Sequence, residues 1–398
     1  MKPLGKIASE ISPSATLAVD NLAKSMTAQG IDVAGFGAGE PDFNTPDNIK
    51  LAAIEAVINN ETHYTPAAGT MRLRTAVCRR LKEDIGADYE PSQIIISSGA
   101  KHCLYLAMSA LLDPGDEVLL PGPYWVSYYE QIRMCHGVPV VVGSTQEEGW
   151  RVSPEKLEAA ITDKTKCLIL NNPCNPTGMM YTRPELEKIA DICVRHDLYV
   201  ISDEIYSCLV YGDAEFCSMV SLGEEIKKRT LLVNGVSKAY AMTGWRIGYI
   251  AANAEVAKVI SRYMSHSIGN ASNIAQAAAA EALEGPQDSV AAMKSMFAAR
   301  REYILKRIAA IEGLNCHEPE GAFYVFINVT GVLGKKCGGK VLATSADFCE
   351  ELLKKGLVAV VSGESFGAPG YVRWSYAASM EKIKKGLDRL EEFLATLE

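Results

Sequence analysis

Ile94-Ile95-Ile96-Ser97-Ser98-Gly99-Ala100-Lys101 runs from a β-branched strand through four small residues into a helix that starts near Lys101. Small residues at such a turn let a ligand approach the backbone. The first helical amides are free donors at the positive end of the dipole, an anion site suited to a phosphate monoester. A tight strand-to-helix turn without function is the alternative. The same alternation continues downstream. Asp113-Pro114-Gly115-Asp116 breaks the helix, and Glu117–Leu120 follows as a strand. Val138–Val142 is another, its proline placing its start at a sheet edge. Lys166–Leu170, Leu198–Ser202 and Thr230–Val233 are three more, with a helix over Pro184–Arg195 capped by Thr182 or Arg183. Strands spaced by helices in this way predict a largely parallel sheet covered on both faces.

Further on, a long helical pattern spans Asp288–Ile311. Strand runs follow at Phe323–Ile327, Val358–Val361 and Tyr371–Ser375, with helices near Ser345–Lys355 and Met380–Leu397. They predict a smaller α/β unit, which the first 45 or so residues join with little regular pattern of their own. The expected division is 1–48, an N-terminal arm and part of the small domain; 49–286, a large ligand-binding domain; and 287–398, the small C-terminal domain. The cleft between domains is the expected site.

A chain of 398 residues is too long for one ordinary core, and its 48% apolar and 22% charged residues match a soluble enzyme. A net charge of −8 argues against a nucleic-acid or anionic-membrane partner. The 11 scattered cysteines include no Cys-x-x-Cys pair, which suits reduced thiols and a cytoplasmic location. The opening Met1-Lys2-Pro3-Leu4-Gly5-Lys6 lacks the apolar core of a secretory signal, and no run is long enough to span a bilayer. The six histidines show no metal-ligand spacing, so no metal is expected. Gly334–Lys340 reads as a solvated loop. Gly35–Gly39 has the wrong spacing for a dinucleotide loop.

Several polar residues fall at strand ends, where open α/β sheets bind ligands. In Gly235-Val236-Ser237-Lys238-Ala239-Tyr240-Ala241-Met242-Thr243-Gly244-Trp245-Arg246, Lys238 offers an amine able to form a Schiff base with an aldehyde cofactor, and Arg246 a cation for that cofactor's phosphate. Partial desolvation and nearby cations would make Lys238 a good nucleophile and base. Taken alone it would be a surface lysine. Asn171–Gly178 holds two Asn-Pro steps and a glycine in a fixed turn, able to present an asparagine to a phenolate-like oxygen. Asp203 follows a buried strand, with Tyr206 three residues on. A carboxylate there wants a cation such as a protonated pyridine nitrogen, although a helix cap or magnesium ligand also fits. Arg373, inside an apolar strand, is either paired within the protein or forked onto a substrate carboxylate.

Together these residues resemble the class I aminotransferases of pyridoxal-phosphate fold type I, closest to the bacterial and archaeal aspartate aminotransferase branch. The likeness rests on Gly235–Gly248, Ser14-Ala15-Thr16, Gly37–Phe43, Tyr64–Gly69, Pro123-Tyr124-Trp125, Asn175–Gly178, Ser202–Tyr206 and Arg373, in family order along nearly the whole chain. The resemblance implies an α/β fold in which a large domain carries a mostly parallel seven-stranded sheet between helices. A smaller α/β domain would be built from both termini. The cofactor would be pyridoxal 5'-phosphate, bound to Lys238, with Asp203 keeping its pyridine nitrogen protonated. Tyr206 and Asn175 would bond its phenolic oxygen, and Trp125 would stack on the ring. Gly99, Ala100, Lys101, Arg246 and Ser237 would hold its phosphate, joined by Tyr64 from a neighbouring subunit, so the sites would be shared across a homodimer. Arg373, with Asn175 and the Gly39 backbone, would take the substrate α-carboxylate. The reaction would be a ping-pong transfer between small amino-acid and 2-oxo-acid substrates.

Aspartate and 2-oxoglutarate are the expected pair. The resembled branch places a lysine on the phosphate helix and a threonine near the N-terminus, here Lys101 and Thr16, to meet a second carboxylate. At a helix N-terminus a lysine opposes the dipole, which favours a functional reason for Lys101. Relatives that accept prephenate carry a basic residue where this chain has Ser12, which argues against that substrate. An aromatic or aliphatic aminotransferase, or a β-lyase, is the alternative on the same fold. A ligand sensor is disfavoured for want of a basic DNA-binding extension.

Overall fold

The computed structural model describes residues 2–398, and Met1 lies outside it. The central sheet has seven strands: β1 (Ile94–Ser97), β2 (Glu117–Gly122), β3 (Val138–Gly143), β4 (Thr165–Asn171), β5 (Tyr199–Asp203), β6 (Thr230–Gly235) and β7 (Gly248–Ala251). Their order is β1-β7-β6-β5-β4-β2-β3, parallel except for β7, which is antiparallel to both neighbours. Both faces are covered. Ile94 and Ile96 face one core, with the helices Met71–Ile85 and Asn273–Glu284. Ile95 faces the other, with Ala100–Leu111 and Ala254–Ser267. This period of two, apolar on both sides, explains why the strands read as continuous hydrophobic runs. Val138–Gly143 lies at the sheet edge, where its proline costs no ladder bond. The helix Arg183–Arg195 is capped by Thr182, whose N–H donates to the Glu185 carboxylate at 2.7 Å.

A second, antiparallel sheet comprises β8 (Asn315–Cys316), β9 (Tyr324–Asn328), β10 (Val361–Ser362) and β11 (Tyr371–Ser375), in the order β10-β11-β9-β8. It packs with the helices Asp288–Ala309, Ser345–Gly356 and Met380–Ala395. Phe36 stacks on Trp374 with ring centroids 4.2 Å apart, and Gly386 admits the Phe36 ring, which a Cβ would meet at 2.3 Å.

Three local expectations need correction. The first 45 residues are not without pattern, because Ala15–Ala28 is a helix and Ala34–Gly35 pairs in parallel with Val358–Ala359. Its apolar stripe is thin, with only Ala23 buried. Val358–Val361 is not one strand. It changes partner at Val360, its first half joining Ala34–Gly35 and Val361 joining β11. The Gly334–Lys340 stretch forms part of a hairpin, Lys336–Cys337 against Lys340–Val341, with Cys337 buried. All 11 cysteines are free thiols. Among the described residues no helix is long and apolar enough to cross a membrane.

Candidate active site

β1, β2, β4, β5 and β6 end at one sheet edge, where antiparallel β7 begins. β5 ends on Asp203, whose side chain is enclosed. The Tyr128 hydroxyl donates to Oδ2 at 2.7 Å and the Ile205 N–H to Oδ1 at 3.2 Å. Lys238 acts on this carboxylate only through space. Burial therefore dominates and pushes Asp203 up to about 6.

β6 ends at Gly235, where a Cβ would stand 2.8 Å from Gly248 Cα, so the glycines bring β6 and β7 together. The chain then turns through Ser237 to Lys238, which is half-buried. Lys238 Nζ donates to the Gly39 carbonyl. Its pKa is lowered to about 8, first by burial and then by Arg246 and Arg373, against the opposing charges of Glu40 and Asp203.

Gly99 turns β1 into the helix Ala100–Leu111 with φ +84°, a conformation suited to glycine. Gly248 sits beneath that helix start, where a Cβ would lie 2.4 Å from the Ala100 nitrogen. Ala100 and Lys101 are the first two helical residues, so their N–H groups have no intrahelical acceptor. Arg246, two residues before β7, lays its guanidinium against the same turn; a Cβ on Gly99 would meet Nη2 at 2.7 Å.

Asn171, the last residue of β4, ties its loop to β5. Its side chain donates to the Asp203 carbonyl at 3.0 Å and accepts the Asn175 N–H at 2.8 Å. Asn175 Oδ1 in turn accepts from Arg373 Nη1 at 2.9 Å. Arg373, on β11 and 1% exposed, also donates from Nη2 to the Gly37 carbonyl at 2.6 Å. Its Nε is buried without a partner among the described residues. Trp125 follows β2, edge to face with Tyr128 at 5.3 Å. The Lys101 ammonium lies 4.9 Å from the Trp125 ring, and its pKa is lowered by partial burial and by Arg246.

One cavity of about 290 Å³ gathers these groups. Lys238, Asp203, Tyr206, Asn175, Trp125 and Arg373 line it with Ala100, Lys101, Ser237, Arg246, Gly39 and Thr16. Gly99 stands just behind, against Arg246. Tyr64 lies elsewhere, 98% exposed beside Asn270 and Asn273. Tyr128, Asn171 and Tyr324 were not foreseen as lining residues. Only the position of Tyr128, three residues past Trp125 on a helix, hinted that it faces the same side.

A buried carboxylate and a lysine amine pulled below its ordinary range line one cavity, an arrangement that suits Schiff-base chemistry. The chain belongs to the class I and II aminotransferases, whose family pattern matches residues 31–390. It is accordingly a pyridoxal-phosphate-dependent transaminase of small-molecule substrates. An aspartate aminotransferase of Bacillus sp. (strain YM-2) is 46% identical over 384 residues, 96% of this chain and 97% of that protein. A probable aspartate/prephenate aminotransferase of Aquifex aeolicus is 46% identical over 395 residues, 99% of each chain. Among solved structures, the aspartate aminotransferase from Rhizobium meliloti superposes with a TM-score of 0.96 at 40% identity, covering 100% of both chains. That from Thermus thermophilus with maleate gives 0.93 at 39% identity, covering 99% of this chain and 100% of the other.

The residues present fit the cofactor. Asp203 is a buried anion without a contacting cation, the setting a protonated ring nitrogen completes. The free N–H groups of Ala100 and Lys101, beside the Arg246 guanidinium, form a cradle for a phosphate.

Proposed function

We propose that the enzyme moves the amino group of L-aspartate to a 2-oxo acid, 2-oxoglutarate foremost, in a ping-pong cycle. One observation carries the dicarboxylate reading: two cations face the cavity beyond the phosphate cradle. Arg373 is held only by the neutral acceptors Asn175 and Gly37, and neither it nor Lys101 makes an ion pair among the described residues. A substrate with a carboxylate at each end satisfies both. The relatives named for aspartate support the same reading.

Pyridoxal phosphate supplies an aldehyde that exchanges amines and a ring that withdraws electrons. Asp203 keeps the ring nitrogen protonated. Arg246, Ser237 and the amides after Gly99 anchor the phosphate, while Trp125 covers the ring. Tyr206 and Asn175 hydrogen-bond to the phenolic oxygen. Arg373, Asn175 and the Gly39 backbone orient the α-carboxylate, with Lys101 and Thr16 at the far end. Lys238, whose pKa is lowered by burial to about 8 in the cofactor-free chain, is the base that takes the α-proton of the substrate.

Tyr64 belongs to the site of a second copy in a homodimer. Exposed Leu51, Ile54, Val57 and Ile58 on the helix Asp47–Ile58 supply the apolar face for that pairing. The free thiols suit a cytoplasmic location, and the proposed division of the chain is 1–48, 49–286 and 287–398, its first boundary falling within the helix Asp47–Ile58. Lys101→Ala tests the substrate assignment. The ratio of kcat/KM for aspartate over alanine should fall by at least about 10-fold. Equal losses on both substrates would remove the dicarboxylate reading.

A further inference from the structure

Tyr324 is 1% exposed on β9, and the activity assigned above gives it no role. Its hydroxyl lies 2.9 Å from that of Tyr206, and either oxygen can be the donor. Neither hydroxyl has another partner among the described residues. The two rings meet edge to face, 5.9 Å apart at 83°, and Phe323 meets the Tyr206 ring edge to face at 5.4 Å. A Cβ on Gly39 would stand 2.6 Å from the Tyr324 hydroxyl, so only glycine at 39 leaves that oxygen in place. The Arg373 guanidinium lies over the face of the Tyr324 ring, 4.5 Å from its centroid.

A phenol has one hydrogen to donate and can still accept. Once Tyr206 gives its hydrogen to the cofactor's phenolic oxygen, the bond between the tyrosines must be donated by Tyr324. We propose that Tyr324 is a positioning residue for transamination: its hydroxyl donates to the Tyr206 oxygen and so directs and strengthens the hydrogen bond from Tyr206 to the cofactor. The proposal rests on the role given to Tyr206.

Hydrogen bonds in a chain polarise one another, and the effect is larger in a buried setting. The charges facing the tyrosine pair are Arg373 from β11 and Asp203 from β5. Lys238 faces the same two, together with Glu40 and Arg246. Arg373 aids both donors of the chain, because its charge stabilises negative charge on the Tyr324 and Tyr206 oxygens alike. Removing the Tyr324 hydroxyl leaves those charges in place and takes from Tyr206 its one donor. The phenolic oxygen of the bound cofactor is then less well stabilised as an anion. The pH-dependent change in the near-visible band of the holoenzyme moves to higher pH.

The test titrates that absorbance in the cofactor-loaded wild type, Tyr206→Phe, Tyr324→Phe and the double variant. Tyr206→Phe should raise the midpoint by about one pH unit or more, and Tyr324→Phe by roughly half a unit. The double variant should match Tyr206→Phe alone, since the Tyr324 hydroxyl acts through Tyr206. Gly39→Ala crowds the same hydroxyl with both tyrosines intact and should shift the midpoint in the same direction; it stands in if Tyr324→Phe fails to take up cofactor. An unmoved midpoint in Tyr324→Phe, or a full additional shift in the double variant, would overturn the proposal. An unmoved midpoint in Tyr206→Phe would instead overturn the role of Tyr206 on which it rests.

Discussion

Asp203 is held in the protein at some cost to stability. Its carboxyl is enclosed and raised to about 6 from 3.8, so without cofactor the folded chain binds that proton more tightly than the unfolded chain. The sign follows from linkage: stability of the cofactor-free protein falls as pH rises from about 4 to about 6. A shift of roughly two units sets a ceiling of about 3 kcal/mol. Asp203→Asn should therefore stabilise the cofactor-free protein at pH 8 by up to about that amount, with the gap closing toward pH 4.5, while transamination is lost. Urea unfolding at both pH values checks this. No gap at pH 8, or an equal gap at both, would contradict the assignment of burial as the cause.

At the scale of elements, the helix Asp288–Ala309 braces the site through Arg300 as well as through Phe297, which packs on Phe323 beside Tyr206. Arg300, 5% exposed, grips Asp42 with both guanidinium nitrogens at 2.6 and 2.9 Å and lies against Phe43 and Phe297. The clamped segment carries the Gly37 and Gly39 carbonyls, which accept from Arg373 and Lys238. Arg300→Met should cost about 1.5 kcal/mol in urea unfolding, because it removes a two-pronged charged hydrogen bond while solvent still reaches the Asp42 carboxylate, and should raise the substrate KM. A change under about 1 kcal/mol with an unaltered KM would show that the clamp is idle.

Elements with strong local signals were legible in the sequence. The Ile94–Ile96 strand, the Gly99 turn and the Arg183–Arg195 helix carry their own β-branching, glycine and capping box. β7 was not read, since four residues that begin on a glycine give no sign of running antiparallel. The break at Val360 is set by two partners distant in sequence, Gly35 and Arg373. Tyr128 and Tyr324 sit in apolar helix and strand patterns, where a tyrosine reads as core. That their hydroxyls find Asp203 and Tyr206 depends on tertiary approach.

For the whole molecule, the proposed homodimer puts two chains around each phosphate site. Ile54→Asp places a charge in the exposed apolar face of the helix Asp47–Ile58. Sedimentation should show this variant as single chains with weakened cofactor affinity, whereas full cofactor occupancy in a single chain would refute sharing. All of the proposed chemistry passes through one nitrogen. Borohydride reduction of the cofactor-loaded protein, followed by peptide mapping, tests that directly. The pyridoxyl label should fall on Lys238 and on no other lysine; a label elsewhere, or one that persists in Lys238→Ala, would overturn the role given to that nitrogen.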